Sequence, residues 1–235
     1  MDSHNTPSPT EVFGRFCSLC AMAPSLEGQL VFLGEMDLSG IATAAAASIA
    51  GAASLGADAD PERIKIALRQ GFCDFMVNHL DEALRILKNE LRRKRPVSVG
   101  LLRPPSHVAE EMLERGVQPE IVLPDQSATP HFLQRGAELL PPAPANDWID
   151  VTWSVAEAPA RWLPHLDQLA IASLEQASGP RVRWLENAPH YLRKALMHER
   201  YVRMSAKEAD RFRTLLREKS PAPPLLRFDG REVNL

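Results

Sequence analysis

The chain has no large excess of either charge, no disulfide set, few aromatic rings and no long run of strongly apolar residues, and each shortage narrows what it can be. Its 27 basic and 30 acidic residues leave a formal charge of −3. That balance lacks the basic surplus by which nucleic acid or an anionic membrane is attracted, so neither is expected as a partner. Three cysteines, Cys17, Cys20 and Cys73, cannot build a disulfide framework, and a cytoplasmic location is the expectation. Cys17-x-x-Cys20 is half of a zinc-ligand set without a second Cys/His pair at suitable spacing, so no metal is expected. Residues 1–11 lack the basic start and apolar run of a secretory signal. Residues 41–57 are apolar but rich in Ala, Ser and Gly, which partition too weakly into lipid for a spanning helix.

What is present is a chain of 235 residues with 45% apolar content, enough for a full hydrophobic core. Residues 1–10 read as a polar tail and 11–27 as a short apolar lead-in. An alternation of strands and helices follows. A strand at 30–34 ends in a glycine turn, and Ser39 is placed to cap an Ala-rich helix reaching residue 50. A second strand, 53–57, ends at Asp58. Asp60-Pro61 then opens a helix that puts Ile64, Ala67 and Leu68 on one face and stops at Gly71. Strands are predicted at 72–77, 97–102 and 120–123, with helices at 80–94 and 106–115 between them. The helix at 80–94 carries a Leu80, Leu84, Leu87, Leu91 stripe, and its basic end, 92–95, is a solvated helix terminus. Five strands alternating with four helices predict an α/β fold over 28–140, with a doubly wound, mainly parallel sheet and right-handed crossovers. Ligands of such sheets sit at the carboxyl ends of the strands, here Gly34, Asp58, Asn78, Arg103 and Asp125.

A proline-rich linker at 141–146 separates this region from an extension at 147–219, read as mostly helical. Its helices are predicted at 163–177 and 206–218, with a mixed segment at 181–204 and a second proline-rich break at 220–224 before a short tail.

The wording of residues 51–126 resembles the central, cofactor-binding domain of urocanase (urocanate hydratase). The resemblance rests on AGAASLGADADPERI, on GFCDFMVNHLDEALRILKNELRRKRPVSVGLL and on RGVQPEIVLPDQ, and it extends over about 28–130. Fainter similarity lies in 153–158 and in 189–205, the second of these resembling the segment that carries the family's active-site cysteine. No counterpart of the family's long N-terminal part or of its C-terminal region is visible. The resemblance implies a Rossmann-like domain and a tightly held NAD used as an electrophile. In that family the substrate's imidazole adds to the nicotinamide ring, and water then adds to the side chain.

Carried onto this sequence, the resemblance implies cofactor contacts at Gly34, Ser39, Gly40, Asp58, Arg63, Asp125, Gln126 and Ser127. Asp58 replaces a glutamate of the family; an acid there either accepts hydrogen bonds from a ribose or serves the turn at Asp60. Arg63 either contacts cofactor or pairs with nearby acids, and Asp125 and Gln126 either contact cofactor or satisfy their own turn. The central glycines of the family's phosphate loop are Met36 and Asp37 here, and Arg103-Pro104-Pro105 replaces a Gly-Asn-Ala turn. Carboxylates at Glu35 and Asp37 would repel a diphosphate. His131 lies near the position of a family His-Asp pair but out of register, and Met197 stands in place of the active-site cysteine. A thioether has no proton to exchange, which leaves His190 and His198 as acid–base candidates, His198 being the catalytic one named here.

Three functions are compatible with these residues. One is a shortened, divergent urocanase-like protein without hydratase activity that binds NAD or a related small ligand. The second is an NAD-dependent hydro-lyase acting on urocanate or a related imidazole compound, which would place it in histidine metabolism. The third is a non-catalytic scaffold. A homodimer is compatible with each.

Overall fold

At Gly71 the backbone turns left-handed (φ 82°) and its N–H closes the end of a helix on the carbonyls of Ala67 and Leu68. Glycine reaches this conformation without a Cβ clash, so the chain can reverse there into the next strand. Such punctuation recurs through the first of two compact units, Met1–Pro144 and Ala145–Leu235. The structure, a computed structural model, describes residues 6–124, 129–145, 147–175, 179–220 and 224–235.

The first unit runs α1 (Pro9–Met22), β1 (Leu30–Glu35), α2 (Leu38–Ala50), β2 (Ala53–Asp58), α3 (Pro61–Gln70), β3 (Phe75–Val77), α4 (Leu80–Arg92), β4 (Ser98–Leu102), α5 (Pro105–Glu114), β5 (Ile121–Val122), α6 (Thr129–Gln134) and β6 (Glu138–Leu139). The strands form one sheet in the order β3-β4-β2-β1-β5-β6, and each pairing is parallel. Alternate residues of the central strands, including Phe32, Leu55, Ala57, Val99 and Leu101, pack with Leu80 and Leu87 of α4, Val108 and Met112 of α5 and Phe132 of α6. The opposite face carries glycines at Gly56 and Gly100. A Cβ on Gly100 would lie 2.6 Å from Ile64 of α3, so the sheet needs glycine there for α3 to sit close. Both faces are covered, which is why the strands read as apolar runs without polar alternation. The doubly wound parallel sheet expected from the alternation is the fold observed, with β6 as an added edge strand.

Several boundaries differ from the sequence pattern. The first helix begins inside the expected polar tail: Ser8 caps α1 and forms a reciprocal capping box with Glu11. The strand predicted at 72–77 is only Phe75–Val77. Its earlier residues finish α3, since the N–H groups of Phe72 and Cys73 both donate to the Ala67 carbonyl. The cap of α2 is Asp37, not Ser39.

The second unit contains the two expected helices, α7 (Pro159–Ser173, which starts four residues before the predicted 163) and α9 (Ala206–Lys219), together with α8 (Gly179–Leu192), which falls largely in the segment read as mixed. They pack with an antiparallel sheet that the pattern did not predict, ordered β10-β9-β7-β8 from β7 (Ile149–Ser154), β8 (Glu199–Met204), β9 (Leu225–Phe228) and β10 (Arg231–Val233). Trp153 of β7 meets Phe212 of α9 edge-on at 4.9 Å. Two buried ion pairs tie helices to the sheet and to each other: Arg200 to Asp167 at 2.9 Å and Arg181 to Glu208 at 2.5 Å. Among the described residues, no helix is long and apolar enough to cross a membrane.

Candidate functional site

In a doubly wound sheet the ligand crevice lies where successive connections leave on opposite faces, here at the carboxyl ends of β1 and β5. The β1 side is well defined. Gly34 adopts φ 65° at an irregularity in the β1–β2 register, and Glu35 ends the strand. Met36 then turns inward and is fully buried. Its N–H donates to the Ala57 carbonyl at 3.1 Å. Its side chain lies over Gly56, where a Cβ would stand 2.2 Å from the Met36 Sδ. The turn between β1 and α2 is thus held down on β2 by both the backbone and the side chain of one residue.

Asp37 opens α2. Its Oδ1 accepts the Gly40 N–H at 2.7 Å, and its carbonyl accepts the Ile41 N–H at 2.9 Å. Gly40 allows the helix to start this close to the strand, because a Cβ there would fall 2.0 Å from the Glu35 carbonyl oxygen. Ser39, just before Gly40, accepts a hydrogen bond on its Oγ from Arg15 of α1 at 2.8 Å.

Asp58, at the end of β2, is 4% exposed. Its Oδ1 accepts the Asp60 N–H at 2.8 Å and its Oδ2 meets Arg63 Nη1 at 3.3 Å. The same Arg63 nitrogen donates to Glu35 Oε1, so one guanidinium bridges the ends of β1 and β2. The Glu35 hydrogen bond first, and then the charge of Asp58, raise the Arg63 pKa above its ordinary value. Two clefts flank this corner. One of about 260 Å³ is lined by Glu35, Met36, Asp37, Leu38, Ile41 and Arg63. The other, about 420 Å³, lies between α1 and the start of α2, and it shares Asp37 and Leu38 with the first.

The structure therefore brings Gly34, Asp58 and Arg63 together and places Ser39 and Gly40 on the first turn of α2. Asp125, Gln126 and Ser127 lie outside the described residues. Thr129, just beyond them, donates from Oγ1 to the Leu123 carbonyl at 3.0 Å. At the end of β4, Arg103 is bound to Glu111 at 2.6 Å, and Pro105 starts α5. Sequence reasoning missed the Arg15–Ser39 contact, which needs two helices in register, and the capping role of Asp37. Its signal was present: an acid immediately before an Ala-rich periodic run, three residues ahead of a glycine.

The acid–base candidates stand in the second unit. Met197 is 52% exposed, and His198 is exposed on the same short segment before β8. His190 packs edge-on against Tyr191 at 4.9 Å near the end of α8. Cys17 and Cys20 are partly buried on α1. Among the described residues no group of three or more His, Cys, Asp or Glu side chains could hold a metal.

A family model described as the urocanase Rossmann-like domain matches residues 10–142. The chain belongs to the urocanase family. The match starts inside α1 and ends in the linker after β6, so it takes in the whole parallel sheet and the strand-end corner. Urocanases use NAD, and a Rossmann-like sheet is the kind of fold that takes a dinucleotide. In this member of the family the acid expected at the end of β2 is present as Asp58. The phosphate position does not match a diphosphate. That group ordinarily lies against the first N–H groups of the helix after β1. Here the Gly40 N–H is taken by the Asp37 carboxylate, whose charge faces the same helix start.

Proposed function

We propose that this chain is a divergent, cytoplasmic urocanase-family protein that does not hydrate urocanate and whose Rossmann-like unit takes a small ligand at the carboxyl ends of its strands. One observation carries the reading: the Asp37 carboxylate occupies the α2 terminus where the fold would place a diphosphate. Holding NAD in that pose would require displacing a hydrogen-bonded carboxylate and tolerating its charge beside phosphate oxygens. The resemblance around 189–205 supports the same reading. It puts Met197 at the place of the family's cysteine, and a thioether cannot transfer a proton.

The test uses the full chain as purified. The protein is denatured and the released small molecules are identified by mass spectrometry, alongside a urocanate-depletion assay on the native protein. The expected result is no stoichiometric NAD and no depletion. Bound NAD together with urocanate turnover that disappears in Asp58→Ala would overturn the proposal.

A further inference from the structure

We infer that Asp37 is a built-in occupant of the phosphate position, and that it sets the specificity of the strand-end site against nucleoside diphosphates. This deepens the functional proposal above and rests on it. The argument is one of occupancy as well as charge. A helix start has a few unpaired N–H donors, and an anion binds there by accepting from them. In α2 the Gly40 donor already points at Asp37 Oδ1, 2.7 Å away, in an ordinary N-cap geometry with extended backbone at Asp37. An incoming phosphate has to break that bond before it can accept from the Gly40 N–H.

Two residues hold the turn that carries the carboxylate. Met36 pins the turn to β2 by its N–H on the Ala57 carbonyl and by its side chain over Gly56. Gly40 lets the helix start press against the Glu35 carbonyl. Arg63, the cation nearest the cleft in its lining, is already bound to Glu35 and Asp58. A diphosphate would therefore find the Gly40 donor taken and Arg63 shared between two carboxylates. A ligand that carries no diphosphate meets none of these obstacles.

The occupancy can be separated from the charge. Asp37→Gly removes both the charge and the cap acceptor, while Asp37→Ser removes the charge and keeps a side-chain oxygen able to cap. Glycine is among the tolerated N-cap residues, so the variant should fold. Asp37→Ala is the second variant should Asp37→Gly be lost. ADP is titrated into each full-length protein by calorimetry at fixed ionic strength. Wild type should show no ADP binding, and Asp37→Gly or Asp37→Ala should bind ADP at least about tenfold more tightly than Asp37→Ser. Any smaller ratio between them, with folding confirmed by circular dichroism, would refute the occupancy. That failure would leave the functional proposal standing, whereas NAD copurifying with an active wild-type protein would strike the proposal itself.

Discussion

Replacing Gly40 by alanine tests how tightly the start of α2 is pressed against β1. The added Cβ would stand 2.0 Å from the Glu35 carbonyl oxygen and 3.1 Å from its carbon, both backbone atoms that cannot rotate away. Ordinary carbon–oxygen contact is about 3.3 Å, so the helix start must retreat by roughly 1 Å. The Asp37–Gly40 cap bond, now 2.7 Å, would then stretch toward the limit of a hydrogen bond. Overpacking of this kind costs about 1–3 kcal/mol and loss of a cap about 1 kcal/mol, against about 1 kcal/mol regained because alanine is the better helix former. The net expectation is a destabilisation of about 1–3 kcal/mol. Gly14→Ala is the internal control, since its Cβ would meet only Ala143 Cβ at an ordinary 3.6 Å. It should be neutral or stabilising by up to about 1 kcal/mol. All four tryptophans, Trp148, Trp153, Trp162 and Trp184, lie in the second unit, so their fluorescence does not report on this one. Unfolding of the first unit is better followed by pulsed alkylation of buried Cys73 through a urea series, with the labelled peptide read by mass spectrometry. An unchanged midpoint for Gly40→Ala, or an equal loss in Gly14→Ala, would refute the reasoning.

Two further outcomes follow from the buried groups. Burial pushes the Cys73 thiol up to about 11, so at pH 8 the native protein should alkylate there far more slowly than at Cys17 or Cys20; equal rates would contradict the packing of β3 and β4 around it. In the second unit, burial alone would raise the Glu208 carboxyl. The Arg181 fork and the N–H groups of Glu175 and Ser205 outweigh it and hold the group at about 2. A pKa lowered on folding stabilises above the unfolded value, near 4.5, and that contribution is lost as the pH falls toward 2. Glu208→Gln should lose about 3–5 kcal/mol at neutral pH by leaving Arg181 buried without its counter-charge, and it should flatten the acid limb of the stability curve. Chemical denaturation of wild type and variant from pH 7 to pH 2 measures both, and an unaltered acid limb would show that Glu208 is not its source.

Much of the parallel sheet is written locally. Gly71, the Asp60-Pro61 corner and the leucine stripe of α4 each state their element within a few residues, and the helix and strand periods then dictate the layering. The second unit was less legible because its strands are scattered in sequence. Val151 and Trp153 alternate inward in β7, but β8 and β9, which complete the sheet, come roughly 50 and 75 residues later. The hairpin at Asp229-Gly230 did have a local signal, since both residues take positive φ as a type I′ turn requires.

The strand-end site divides along the same line. Sequence alone determined that an acid ends β2, that an arginine follows five residues later, and that Met36 and Asp37 stand between Gly34 and Gly40. These are matters of residue identity and spacing. Charge repulsion was visible there as well, because it needs only the presence of carboxylates. Only the tertiary structure decided what those residues do: Met36 is swallowed over Gly56, Asp37 closes on the Gly40 N–H, and Arg63 bridges Glu35 to Asp58 across two strands. The reason is distance. Whether a donor is still available to a ligand depends on which acceptor lies within about 3 Å of it, and that is settled when β1, β2 and α2 pack together.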